Sequence, residues 1–208
     1  MIRDIRERIA LVRLKRRLAR AGSPHATEIP TYTRLDELEI LYELARSLPE
    51  HAKALEIGSF LGASACFIGA ALADRQGRLF CVDTWRNENM PEAADDTFPI
   101  FVRNTRALGS VIVPVRKESS ALTPDDIAVP LDFLFIDGDH AYLAVREDVA
   151  RTSRWLAPAG IIAFHDSTAF AGVSRVIGEL LSGGRFKLSG HHRNLTWLVP
   201  ADWATQSP

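Results

Sequence analysis

"ALEIGSFLGAS", residues 54–64, is an apolar run that reaches Glu56 and Ile57, turns on Gly58 and meets Gly62 where helical spacing begins. Glycine at such a turn lets the backbone approach a ligand that a side chain would keep away. The next apolar run, "RLFCVD" at 78–83, ends in Asp83, 21 residues beyond Gly62. A carboxylate in that place receives the two hydroxyls of a ribose. Strand, glycine turn, helix and acid-tipped strand together describe one half of a nucleoside-binding α/β sheet.

Outward from there the chain alternates. "VIVPVR" (111–116), "LDFLFID" (131–137) and "GIIAFHD" (160–166) are further apolar runs, and helical stretches are predicted at 63–74, about 98–108, 140–156 and 172–182. A βαβα rhythm of this kind predicts a doubly wound, Rossmann-like parallel sheet covered on both faces. The tail "RFKLSGHHRNLTWLVP" (185–200) reads as two strands around "GHHRN", a hairpin closing the sheet edge. Upstream, "TRLDELEILYELARSLP" (33–49) places Leu35, Leu38, Leu41 and Leu44 on one helical face, with Pro49 as its stop.

The first 22 residues differ in chemistry from the body. Ile2, Ile5, Ile9 and Val12 recur at helical spacing, and residues 1–20 hold eight Lys or Arg against Asp4 and Glu7, so +6 sits there and −7 on the remainder. Residues 1–30 are expected to form a basic amphipathic arm ahead of a single domain at 31–208. Its apolar stripe packs on its own domain or on a second subunit of a homodimer, or its charge draws it to an anionic membrane surface. With 208 residues, 47% of them hydrophobic, the chain can bury one substantial core. Cys66 and Cys81 lie in apolar segments and read as reduced core thiols, too few for a cysteine zinc cluster. No signal-like stretch is present, nor a run of the roughly 18 apolar residues that spans a membrane. A soluble, cytoplasmic protein is the expectation.

Glu56 bears on which nucleoside cofactor binds. A carboxylate beside Gly58 repels the pyrophosphate of a dinucleotide and accepts a zwitterionic amino-acid tail with a cationic centre, which favours S-adenosylmethionine over NAD. On these motifs the chain resembles class I S-adenosylmethionine-dependent methyltransferases. Within them it is similar to the group that methylates sugar hydroxyls, the macrocin-type and mycinamicin-type O-methyltransferases and cephalosporin-hydroxylase-like proteins, over about residues 30–200. The resemblance implies a seven-stranded sheet with an antiparallel last strand. It implies Glu56, Gly58, Ser59 and Gly62 in the cofactor loop, Asp83 on the ribose, and Ser119 of "KESS" near the adenine. Trp85 either flanks the adenine or packs under a loop.

The fourth and fifth runs end in "IDGDH" and "FHD", placing Asp137, Asp139, His140, His165 and Asp166 at neighbouring strand ends. Two carboxylates at one mouth repel each other unless a cation or a shared proton intervenes. A divalent ion such as magnesium or manganese on Asp137, Asp166 and His165 would lower the pKa of a sugar hydroxyl, with His140 or Asp139 taking its proton. Macrocin-type relatives carry Asp-x-Asp here with the second Asp as base, and mycinamicin-type relatives Asp-x-x-His with the His as base; "DGDH" satisfies both. Relatives usually carry two acids at the end of the fifth strand, and His165 replaces the first, which moves metal preference toward manganese or iron and leaves open a metal-free enzyme with a His base. His140 can alternatively cap the helix that follows it.

"RNENMPEAADDTF" (86–98), with four acids, is either a lid over the acceptor or a solvated loop. The Asn/Asp-Pro-Pro-aromatic turn of amine and nucleobase methyltransferases is not in "DGDHAY", which counts against nucleic acid as acceptor. The leading expectation is an S-adenosylmethionine-dependent, divalent-metal-assisted O-methyltransferase acting on a hydroxyl of a sugar, glycoconjugate or natural product, with the metal-independent enzyme using a His base as its alternative. The other readings are a dinucleotide oxidoreductase and a non-catalytic cofactor-binding protein docked through its basic arm.

Overall fold

The computed structural model describes residues 2–86 and 96–202. Seven strands form one sheet: β1 (Lys53–Ile57), β2 (Arg78–Asp83), β3 (Ile112–Arg116), β4 (Leu131–Ile136), β5 (Leu156–Phe164), β6 (Phe186–His192) and β7 (Leu195–Pro200). Their order is β3-β2-β1-β4-β5-β7-β6. The first five strands are mutually parallel, and β7 runs antiparallel to both β5 and β6. The expected doubly wound sheet with an antiparallel C-terminal strand is what forms. The hairpin differs in one detail. Gly190, His191 and His192 belong to β6, and the turn is the pair Arg193-Asn194, with Arg193 at φ 53°. Gly190 lies in the strand because Trp197 covers it, and an added Cβ would sit 2.0 Å from that ring.

Helices α3 (Ala63–Ala73), α5 (Tyr142–Thr152) and α6 (Ala171–Ser182) fill the predicted crossovers, and α4 (Phe98–Thr105) leads toward β3. Strand alternation sends successive residues to opposite faces. Leu55, Ile57, Leu134 and Ile136 pack toward Val145, Val149, Val173 and Val176 of α5 and α6. Ala54, Cys81, Phe133 and Phe135 pack toward α3 on the other side. Helix α3 is buried on all sides from Ala63 to Leu72, which explains why its sequence is apolar without a polar face.

Helices α1 (Ile2–Arg20) and α2 (Leu35–Arg46) lie over the α3 face. Leu14 and Leu18 of α1, with Ala26 and Ile29 after it, join the main core, and Arg17 pairs with Glu43 of α2 at 2.9 Å. From Leu14 onward the expected arm is therefore part of the domain. No described helix is long and apolar enough to cross a membrane.

The chain order β1-β2-β3 proceeds one way from the centre and β4-β5 the other, so β1 and β4 are neighbours with diverging connections. Open α/β sheets hold ligands at the carboxyl ends of the strands at such a point. Here Gly58 leaves β1 at φ 85°, and an added Cβ would lie 2.1 Å from the carbonyl oxygen of Asp137. Gly62, at φ 89°, is crowded by Thr105 and Phe101. Both glycines are thus required by neighbouring protein atoms, whatever ligand the loop takes. Gly58→Ala is expected to cost about 2–5 kcal/mol, from left-handed strain plus overpacking, read as a lower urea midpoint; an unchanged midpoint would show that the Asp137 loop can retreat.

Candidate active site

At the β1/β4 switch point lies a cleft of about 1350 Å³, lined by the Gly58–Leu61 turn, Asp83, Lys117–Ser120, Asp137–Ala141, Asp148 and Asp166, with Tyr32 and Phe170 also on its walls. Asp137 directly follows β4, and its N–H donates to the Ile57 carbonyl at 2.8 Å. His165 and Asp166 directly follow β5, the latter in left-handed backbone at φ 53°. His140 sits in the loop before α5, its ring stacked on Phe170 with centroids 4.1 Å apart.

These groups form a chain of alternating charge. His165, 3% exposed, has Nε2 3.3 Å from Glu37 Oε2, and Nδ1 3.2 Å from Asp137 Oδ1 and 3.4 Å from Asp166 Oδ2. Sharing Nδ1–H between two carboxylates explains why neither contact is short. Burial opposes the charged ring, yet the contacts to Asp137 and Asp166 outweigh it and push the imidazole up to about 11. His165 therefore lies beneath the cleft with both ring nitrogens on carboxylates, and the ligand atoms that converge among the described residues are those of Asp137, His140 and Asp166, with His140 in the place expected for His165.

Nearer the cleft, His140 Nε2 lies 3.0 Å from Asp166 Oδ2, an ion-pair contact that lacks the alignment of a directed hydrogen bond. The Asp166 carboxylate beside it raises the His140 pKa, while His140 and His165 hold Asp166 far below the usual carboxylate range. Burial pushes Asp137 upward. Asp139 is exposed and its Oδ1 accepts the Ala141 N–H at 2.7 Å, so this acid, not His140, forms the turn into α5.

The loop residues divide. Ser59 and Phe60 donate their N–H groups to Asp83 Oδ2 at 2.8 and 2.9 Å, and Trp85 N–H donates to Asp83 Oδ1 at 2.7 Å. Asp83 thus braces the β1 turn as well as facing the cleft. Glu56 is fully buried under that turn, accepting Ser59 Oγ–H at 2.7 Å and the Cys81 thiol at 3.3 Å, and burial pushes it up to about 7. It does not line the cleft, because alternation points it with Cys81 toward α3. Trp85 is also absent from the cleft. Its indole packs between Phe98 and Phe101 of α4 and its Nε1–H donates to the Phe60 carbonyl at 2.9 Å, so it props the loop from below. Ser119 does reach the cleft, in a short 3-10 turn after β3.

A family model described as "Methyltransferase domain" matches residues 55–167, more than half of the chain and every element that builds the cleft's acids. The chain belongs to this methyltransferase family. Solved structures share its fold. The O-methyltransferase TomG of Streptomyces achromogenes, involved in tomaymycin synthesis and solved with SAM, is 18% identical with a TM-score of 0.65, covering 88% of this chain and 89% of TomG. An O-methyltransferase from Bacillus cereus in complex with SAH is 16% identical with a TM-score of 0.62, covering 90% of each chain. The SAH-bound methyltransferase PaMTH1 of Podospora anserina is 15% identical with a TM-score of 0.63, covering 89% of this chain and 88% of that one.

The methyltransferase also uses residues that the sequence did not single out. Glu37, 1% exposed on α2, accepts the Asn194 N–H at 2.8 Å and the Arg34 N–H at 3.0 Å besides facing His165. Its partners lie up to 157 positions away, so no local pattern announces it. Tyr32 and Phe170, 65% and 43% exposed, present aromatic surface to the cleft from segments that carry no motif. Residues 87–95, most of the expected lid, lie outside the described residues.

Proposed function

We propose that this methyltransferase takes S-adenosylmethionine as methyl donor and modifies a hydroxyl of a sugar, glycoconjugate or related natural product, with His140 as proton acceptor. The observation that carries the reading is the His140–Asp166 pair opening on the cleft beside the Gly58 turn. The cleft fits the cofactor. Its volume exceeds the roughly 300–1,000 Å³ of ordinary ligand sites, and Asp83 and Ser119 face it where a nucleoside would lie. When bound, the cofactor supplies a methyl group on a cationic sulfur.

The protein's part is to prepare the oxygen. With Nε2–H of His140 turned to Asp166, the lone pair is on Nδ1, and the hydroxyl proton passes there. Asp166 then stabilises the imidazolium that results, while His165 holds Asp166 charged and keeps Asp137 in place beside it. The exposed rings of Tyr32 and Phe170 offer flat surface against which a sugar or aglycone can lie.

A divalent cation is the second reading, favoured by the ligand atoms of Asp137, His140 and Asp166 lying within 4.8 Å of one another. Those three fit an ion, which would lower the hydroxyl pKa. His140 would then be a ligand, and Asp139 the exposed carboxylate left to accept the proton.

Calorimetric titration of S-adenosylhomocysteine into chelator-treated protein, followed by magnesium or manganese, tests both. Binding that neither metal alters is the expected result. Binding that requires metal moves His140 from base to ligand, and no binding ends the cofactor assignment.

A further inference from the structure

We propose that Phe170 is a positioning residue for proton transfer: its ring fixes the plane of the His140 imidazole, so that Asp166 can select which edge of that ring meets the acceptor. The inference rests on the reading of His140 as proton acceptor and extends it to a residue that exchanges no proton.

An imidazole on a loop has several orientations open to it. Rotation about χ1 offers roughly three wells and χ2 about two, and few of these put Nε2 at Asp166 with Nδ1 turned to the acceptor. The Asp166 contact alone does not choose among them. Nε2 lies 3.0 Å from Asp166 Oδ2 without the alignment of a directed hydrogen bond, so this contact tolerates a tilted ring. The second contact removes the tilt. The Phe170 ring lies on the imidazole at a centroid distance of 4.1 Å and an interplanar angle of 19°. Phe170 sets the plane and Asp166 the edge.

Both contacts are delivered by one turn. Asp166, at φ 53°, sends the chain back on itself, and its carbonyl accepts the N–H groups of Ala169 and Phe170, each at 3.1 Å. That turn is pinned on two sides. Ser167 donates its N–H and its hydroxyl to the Asn194 carbonyl at 2.9 and 2.8 Å, which ties it to the β6–β7 turn. The Ser174 hydroxyl of α6 donates to the Ser167 carbonyl at 2.6 Å. Backbone packing then sets the gap across the stack. Gly172, in the first turn of α6, is so close to the His140 loop that an added Cβ would sit 2.4 Å from the His140 carbonyl oxygen and 2.6 Å from the Tyr142 nitrogen. Two rings held face to face from two braced segments keep the acceptor's proton and Nδ1 in one geometry, and geometry at the reacting centre is worth rate.

The test is a double-mutant cycle, with release of S-adenosylhomocysteine over a panel of glycosides as the rate. Phe170 is half-exposed, so the fold tolerates Phe170→Leu, which removes the flat face, and Phe170→Tyr, which keeps it. The leucine variant should lose about 3- to 10-fold in kcat, within the worth of one stacked aromatic pair, while KM for the glycoside changes by no more than about two-fold. Phe170→Tyr should bring kcat back to within about two-fold of the wild type. In a His140→Gln background the leucine change should cost at most about 1.5-fold, because no imidazole is left to hold. A rise in KM at unchanged kcat overturns the inference and makes Phe170 acceptor surface only. A loss as large without His140 as with it overturns the inference too. If His140→Gln itself keeps the full rate, the proton-acceptor reading falls and takes this with it. A second measurement needs no acceptor and decides alone should no glycoside turn over. Carbon-13 relaxation of the His140 ring C–H groups should report a rigid ring in the wild type and Phe170→Tyr and a more mobile one in Phe170→Leu on the ps–ns timescale; equal rigidity in all three overturns the inference.

Discussion

Replacing His140 with glutamine lowers the rate of methyl transfer by about a hundred- to ten-thousand-fold, the usual range for a lost general base, and leaves S-adenosylhomocysteine affinity within about two-fold. The asymmetry follows from position. His140 faces Asp166 and stacks on Phe170, on the β4/β5 side of the cleft, whereas the nucleoside-facing groups Asp83 and Ser119 lie toward β2 and β3. Release of S-adenosylhomocysteine over a panel of glycosides gives the rate. The pH dependence provides a second readout. Asp166 raises the His140 pKa above its ordinary 6.5, and a base works unprotonated, so the rate climbs with pH through a value above 6.5 and the variant loses that rise. A comparable loss of cofactor affinity in the variant would move His140 out of the proton-transfer role. A slow variant that a higher manganese concentration restores would make it a metal ligand instead.

The acids of this site were legible because parallel strands deliver their carboxyl ends to one edge. Asp137, His140 and Asp166, drawn from two separate runs, meet for that reason alone. Glu56 was misplaced although its direction was available from the same strand. Leu55 and Ile57 belong to one face, so Glu56 must point to the other, beneath the turn. For Trp85 the sequence left two places open, beside the adenine or under a loop, and the structure takes the second. Its local sequence resembles the lip of a cleft, and only the arrival of Phe98 and Phe101 after the intervening segment encloses it. His165 depended on Glu37, 128 residues earlier, a contact that no periodicity encodes.

That contact sets the largest expected stability effect. Glu37→Gln should cost about 3–5 kcal/mol, the range for breaking a buried pair from one side, which for a chain of this size lowers Tm by roughly 10 °C. The carboxylate faces three donors, the Asn194 and Arg34 amides and His165 Nε2, from the β6–β7 turn, the start of α2 and the floor of the site. Glutamine supplies one carbonyl and turns an N–H₂ toward the remainder, leaving a buried donor facing a donor. His165 should nevertheless stay protonated in the variant, because Asp137 and Asp166 provide the contacts that raise it. Nitrogen-15 NMR should therefore find both ring nitrogens protonated near about pH 9 in the wild type and the variant alike. The sign of the linkage chooses the conditions. A histidine raised in the folded state from 6.5 to about 11 contributes fully below 6.5 and loses that contribution as pH rises through 11. Denaturation is thus best compared near about pH 6, where His165 contributes fully in both proteins. A penalty below about 1 kcal/mol there would mean that Glu37 is dispensable to the floor of the site, and that the two aspartates alone hold His165 in place.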